Sequence, residues 1–440
     1  MIPLVKNSLV LILFFFLYSC IGPVKEIGYQ IEDSMEDENI FIDNPKPLNP
    51  DLVNKFPLEN VLTISLDGNS KRNLYLAKFD HFLVYPSYSG NISLIDLNKN
   101  EIIWTYNHTK KINSGVSYGD NKIFFVDNDG YLIALSNNGK LEWKSFIGEV
   151  FSPPLHTNNG VVLKTSTNKF FCINSIDGSL TWEYISPHSP LPIRSWAELT
   201  LSDEIIFSGA SAGKVIALNS NTGSLLWEST FSPAVGSSEL QRSNDTSSKV
   251  LVDESVIYAV SSQGNVAAIA KVDGVILWSR ALSSFIGMSI YENQLIITHN
   301  SGSVYALDKN TNKVMWRNND LSGRDVSRPF IYNNLVVVSD YEGFIHFFDL
   351  GSGLTKARIK VAESTLLYPV IGNTLNDLIF ASIDGELNFI SAKNDDTNVK
   401  NKIIEDTSSV EIKDDQYSME GSDMQNSKEN SLLDTLFFWD

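Results

Sequence analysis

Ala217-Leu218-Asn219-Ser220-Asn221-Thr222-Gly223-Ser224-Leu225-Leu226-Trp227 reads as the end of one strand, a tight turn at Asn221-Thr222-Gly223 and a second strand closing on tryptophan. The pattern returns at Ala306-Leu307-Asp308-Lys309-Asn310-Thr311-Asn312-Lys313-Val314-Met315-Trp316, and weaker copies close on Trp104, Trp143, Trp182 and Trp278. A seventh copy keeps the turn at Ser352-Gly353 but has Ala357 in the tryptophan's place. Such repetition decides the architecture. A unit this short cannot hide its own apolar faces and must bury them against copies of itself.

A second marker sets the register. A small turn residue, usually glycine, lies five positions before each Ala-Leu-like pair: Gly90, Gly130, Asn168, Gly213, Gly264, Gly302, Gly343 and Gly385. Neighbouring markers are 38 to 51 residues apart, which suits a four-stranded propeller blade or a two-helix solenoid unit. Short β-branched and aromatic runs bounded by Gly, Asn and Asp, such as Lys122–Val126, Leu335–Ser339 and Leu378–Ser382, choose strands. The glycines are expected at positive φ in hairpins, and the tryptophans in the seams between blades. The eighth unit never supplies a tryptophan-bearing strand, and an orphan strand, Val61–Leu66, precedes the first. Pairing the two would close the ring without a long open edge. The fold class is therefore all-β: an eight-bladed propeller over 58–392, with four-stranded antiparallel blades and the last closed by the N-terminal strand.

Residues 1–20 read as a signal segment: Lys6, the apolar run Leu9–Leu17, then Leu17-Tyr18-Ser19-Cys20. Its end resembles a bacterial lipobox, which implies lipidation of Cys20; an ordinary signal peptide is the alternative. Ile21 follows where an aspartate would resemble an inner-membrane retention signal, so the outer membrane is the expected address. Residues 21–57, with Pro23, Pro45, Pro47, Pro50, Pro57 and the acidic run Glu32–Glu38, read as a solvated tether. The tail, 393–440, is acidic and too polar to fold alone. Its tip, Leu432–Trp439, is either a sticky end or a short docking motif.

The net charge of −18 divides accordingly. The tether holds eight acids and three bases, and the tail twelve and five. No basic stripe remains, which argues against nucleic acid and against anionic lipid headgroups as partners. Beyond Cys20, Cys172 is the one cysteine; it lies in the strand-like Phe170–Ile173 and is expected in the core, unable to form an intrachain disulfide in the mature protein.

Catalytic signals are sparse. His81, His108, His156, His188, His299 and His346 show no metal-binding spacing. Asp127-Asn128-Asp129-Gly130 resembles the start of a calcium loop but lacks its remainder, and the same slot is a hairpin turn in other blades. No Gly-x-Ser-x-Gly elbow occurs. The expectation is no catalytic residue, no metal and no cofactor.

The Ala-x-Asp-x-x-Thr-Gly-x-x-x-Trp repeat resembles that of pyrroloquinoline-quinone (PQQ) dehydrogenases. In those enzymes the resemblance implies long insertions carrying a calcium site and a catalytic aspartate, and often an adjacent cysteine pair. The 335 residues of 58–392 leave no room for such insertions, and no cysteine pair is present. The whole arrangement of signal, lipobox and eight-bladed ring resembles the BamB family of the bacterial β-barrel assembly machinery. Two irregular stretches in the longest repeat gaps carry the more specific likeness. Leu191-Pro192-Ile193-Arg194-Ser195-Trp196-Ala197-Glu198 is similar to the loop with which that family contacts a periplasmic POTRA domain of the barrel subunit BamA. Gly236–Thr246 is similar to the acidic stretch beside it. The resemblance implies that Leu191, Ile193, Arg194 and Asp245 bind the partner, and that the protein is a monomeric subunit of a larger complex at the periplasmic face. Unfolded outer-membrane proteins are a further implied partner. Read from the residues alone, Leu191 and Ile193 would instead cover the ring's end while Arg194 caps carbonyls. A dehydrogenase-like protein and a ligand- or carbohydrate-binding surface propeller are the competing readings.

Overall fold

The computed structural model describes residues 45–66, 68–70, 74–186, 197–233, 244–371 and 377–392. They form eight four-stranded antiparallel sheets arranged as a β-propeller. Blades one to seven occupy residues 77–107, 117–146, 155–185, 200–230, 251–281, 287–318 and 330–360. Blade eight joins Val370–Ile371, Asp377–Ala381 and Glu386–Ala392 to Leu58–Ser65. That last strand runs antiparallel to Glu386–Ala392, from Leu58 opposite Ala392 to Ser65 opposite Glu386. Ring closure by the N-terminal strand therefore holds, with the strand beginning three residues before the expected Val61.

The core is divided among the seams. Each of eight buried clusters among the described residues draws its side chains from two neighbouring blades. Between blades three and four, for example, Val162, Phe170 and Cys172 meet Ile206, Ile216 and Leu218. Both faces of an inner strand are thus buried, which is why runs such as Gly160–Leu163 are continuously apolar rather than alternating.

Each tryptophan locks its blade to the next. The Nε1–H groups of Trp104, Trp143, Trp182, Trp227, Trp278 and Trp316 donate to the carbonyls of Asn137, Ser175, Ser220, Lys271, Lys309 and Leu350, at 2.8–3.1 Å. The acceptors all lie in or beside the last turn of the following blade. The turn glycine forms the floor for the ring: a Cβ on Gly223 would approach Trp182 to 2.4 Å. The repeated Thr-Gly is thus demanded by the neighbouring blade's tryptophan as well as by the turn's φ of 70°.

The hairpin markers have positive φ as expected, with Gly264 the exception. There the glycine is needed for space, since a Cβ would come within 2.0 Å of Ser232 Oγ.

Blade seven lacks a tryptophan, and a different part of the chain compensates. Phe56 packs edge-on against Phe347, ring centroids 5.6 Å apart, in the cluster that includes Ala357. It arrives on a strap, residues 45–57, laid along blade seven's outer strand. Lys46 N–H donates to Ser322 C=O and Lys55 N–H to Lys356 C=O, both at 2.9 Å. Asn54 both accepts from Arg358 N–H (2.9 Å) and donates to its carbonyl (3.1 Å). The sequence reading extends the tether to residue 57. Its described part is instead fastened to the ring, because two arginines (Arg324 to Lys46 C=O, Arg358 to Asn49 C=O) hold its backbone. Residues 1–44 and 393–440, including Cys20 and the Leu432–Trp439 tip, lie outside the described residues.

Candidate partner-docking site

Strand direction alternates within each blade, so all connections between blades emerge at one end of the ring, together with the turns that carry the glycine markers. The two longest connections leave the outer strands of blades three and four, at Ser186 and Phe231, and rejoin at Ala197 and Asn244. They flank blade four at this connection end. Leu191, Ile193 and Arg194 belong to the segment 187–196, outside the described residues, as do residues 234–243. What is described is how each segment re-enters the ring.

The first re-enters through a cross-ring ion pair. Glu198 Oε1 accepts from Arg328 Nη1 at 2.9 Å, both side chains largely buried. Arg328 belongs to the connection between blades six and seven, three blades away. Its guanidinium lies over the rings of Tyr368 (4.0 Å) and Tyr75 (5.9 Å), which come from the connections on either side of blade eight. Burial, then the Glu198 charge, raises the Tyr75 phenol well above its ordinary range, so it stays neutral. Four blade connections meet here in one charge-compensated cluster at the connection end of the ring.

The second re-enters through a buried polar knot. Asn244 Nδ2 donates to Ser232 C=O (2.7 Å) and Oγ (2.8 Å), and Thr246 N–H to Ala210 C=O (3.1 Å). Asp245, read from the sequence as a partner contact, is only 3% exposed. Its Oδ1 accepts from Ala212 N–H (3.2 Å), and its carbonyl accepts from Ser262 N–H (2.9 Å). Its charge acts inward on Lys164 of blade three, whose buried ammonium donates to Gly209 C=O. Burial pulls the Lys164 pKa down to about 8, against the opposing pull of Asp245. The carboxylate is turned into the ring, where Oδ1 meets the Ala212 N–H; exposing it would strand that buried donor.

Lys164, Glu198, Arg328, Tyr75 and Tyr368 were not singled out by sequence reasoning. Lys164 left a signal: its slot, four residues before the marker, holds Val126, Val260, Thr298 or Ser339 in other blades. A lysine ending an apolar strand interior needs a buried acid.

Elsewhere the chemistry is structural. Asp127 Oδ1 accepts from Asp129 N–H (3.0 Å) and Tyr131 N–H (2.9 Å), and Oδ2 lies 3.0 Å from His108 Nε2, so the calcium-like stretch is a capped hairpin turn. Cys172 is fully buried, and burial pushes its thiol up to about 11. Among the described residues no three His, Cys, Asp or Glu side chains are grouped as a metal site would require. No described helix is long and apolar enough to cross a membrane.

The family model described as outer membrane protein assembly factor BamB matches residues 89–318 and 287–366. The outer membrane protein assembly factor BamB of Burkholderia pseudomallei is 30% identical over 291 residues, covering 65% of this chain and 76% of that protein. The crystal structure of BamB from Moraxella catarrhalis superposes with a TM-score of 0.70 at 24% identity, covering 76% of this chain and all of that one. The quinohemoprotein alcohol dehydrogenase of Comamonas testosteroni gives 0.64 at 11% identity, covering 78% of each chain. At these identities both structural likenesses speak to the fold alone.

Proposed function

We propose, from the premise that this chain belongs to the BamB family of outer-membrane protein assembly factors, that it is a non-catalytic scaffold whose connection end docks a POTRA domain of a BamA-like barrel subunit. Cys20 carries the lipid that holds it at the periplasmic face of the outer membrane. Leu191, Ile193 and Arg194 supply the contact: two apolar anchors exclude water around a guanidinium that pairs with a carboxylate or carbonyl.

The observation that supports this reading is the common origin of the two longest connections. Both leave the ring at one end and flank a single blade, and both re-enter through buried charged residues. A rigid scaffold that fixes the ends of adjoining loops is a physical setting for recognition. The outer strands, by contrast, scatter their exposed aliphatic residues, Ile103, Leu180, Leu226 and Leu277 among them, around the whole circumference.

The test is direct binding between the purified mature chain and the tandem POTRA fragment of its own barrel subunit. Saturable binding that is lost when Leu191, Ile193 and Arg194 are together replaced by Ser, Ser and Ala supports the reading. Saturable binding that survives this replacement relocates the interface, and no binding at all refutes the partner.

A further inference from the structure

We infer that residues 46–57 are an orienting strap: they move the point at which the N-terminal extension leaves the ring from one end to the other, so that a lipid on Cys20 holds the connection end toward the membrane. This rests on the proposed lipid anchor and is independent of which residues contact the barrel subunit.

The course of the strap carries the inference. Leu58 begins the strand that closes blade eight and lies opposite Ala392. Ala392 ends a strand that starts beside the marker turn, so Leu58 sits at the end of the ring remote from the blade connections. A chain entering directly at Leu58 would arrive from that remote end. The strap brings it from the connection end instead. Lys46 is pinned there three times: its N–H donates to Ser322 C=O (2.9 Å), its carbonyl accepts from Arg324 Nη1 (3.4 Å), and its ammonium meets Asp320 Oδ1 (3.2 Å). Asp320 and Ser322 belong to the connection between blades six and seven. Arg324 is fixed in turn by buried Asp340 of a marker turn, at 2.7 Å. From Lys46 the strap descends blade seven's outer strand, bonded to Arg358 at Asn49 and Asn54 and to Lys356 at Lys55.

Both ends of the strap are keyed into the core. Leu48 packs against the seam between blades six and seven, and Phe56 is buried in the seam between seven and eight. Pro47 and Pro50 have no N–H to leave unpaired, and their fixed φ lowers the freedom lost when the stretch is laid down. Fastening at Lys46 leaves 25 residues between it and Cys20, against 37 between Cys20 and Leu58. A solvated chain of 25 residues averages about 25–30 Å end to end. The outer strand Thr355–Lys360 alone spans about 20 Å. Tether length and ring height are thus comparable, and the end from which the tether departs decides which end of the ring stays nearer the bilayer.

The experiment places the full mature lipidated chain on phosphatidylcholine vesicles carrying a rhodamine-labelled lipid, and measures energy transfer from a fluorophore on one introduced cysteine. Gln263→Cys labels the connection end of blade five and Val272→Cys its remote end; both positions are exposed, and Cys172 is fully buried. With the strap intact, transfer should be greater from Gln263→Cys. Releasing the strap with Asn54→Ala/Phe56→Ala, verified by faster amide exchange over 46–57, should abolish or reverse that order. If this variant fails to fold, Asn54→Ala/Arg358→Ala loosens the strap from the surface alone and is read in the same way. Equal transfer from the two probes with the strap intact, or an order that survives verified release, overturns the inference. A wild-type chain that does not float with the vesicles removes the lipid anchor instead. The same probes on a chain with hexahistidine in place of Cys20, captured on nickel-chelating vesicles, then decide the role of the strap by the same two outcomes.

Discussion

Glu198 and Arg328, 130 residues apart in sequence and three blades apart around the ring, meet at 2.9 Å at the connection end of the propeller. Neither belongs to a strand. The contact ties the connection that ends the segment 187–196 to the opposite side of the propeller, so the candidate docking end is referenced to the whole ring.

Arg194→Ala should weaken capture of the tandem POTRA fragment by about tenfold or more, as expected for loss of about 1–3 kcal/mol at a central anchor. Its melting temperature should stay within a degree or two of wild type. Calorimetric titration beside thermal denaturation checks both, and early melting would make the residue structural.

Trp227→Ala should show the opposite signature. The ring is 9% exposed, is bonded to Lys271 C=O at 3.0 Å and lies on Gly274. Its removal opens the seam between blades four and five and should cost about 3–5 kcal/mol, with binding lost only as a consequence. Denaturant titration reads this directly.

Phe56→Ala tests the strap. The side chain fills the seam of the blade that has Ala357 in place of tryptophan, so truncation should cost about 3 kcal/mol despite its position in a stretch composed like a linker. Proteolysis before residue 58 should accelerate in step. An unchanged midpoint would mean that the strap is a surface ornament.

Acid should loosen the seam between blades six and seven. His346 Nε2 lies 3.0 Å from buried Asp340, which also accepts from Arg324 Nε at 2.7 Å. Burial holds the His346 pKa below its ordinary 6.5, against the raising effect of Asp340. Below pH 6.5 the unfolded chain therefore takes up a proton that the folded site resists, and stability falls. Asp340, held below 3.8 despite burial by His346 and Arg324, adds stability that is lost only as pH falls below 3.8. Melting temperature should drop between pH 7 and 5, and less so in His346→Gln.

Cys20→Ala should release an unprocessed or soluble species and abolish incorporation of labelled fatty acid. One acyl chain holds a protein only marginally, whereas several hold it firmly. A wild-type chain that takes up no label would remove the lipid anchor from the proposal.

By itself the sequence determined the number of blades, their strand order and the closure by the N-terminal strand. Each follows from a local, repeated cause: a turn that needs positive φ, an apolar strand, a tryptophan at a set interval. It also exposed the two long gaps as departures from what packing requires, and Ala357 as a missing key. It did not show that Phe56 is the replacement key, that residues 45–57 bind the ring, or that Asp245 is buried against Ala212 N–H. Those outcomes depend on which side chains meet across seams and between blade connections, among residues 33 to 304 apart in the chain. No periodicity marks such pairs; a buried charge chooses its partner only when the fold has brought a complementary one within reach.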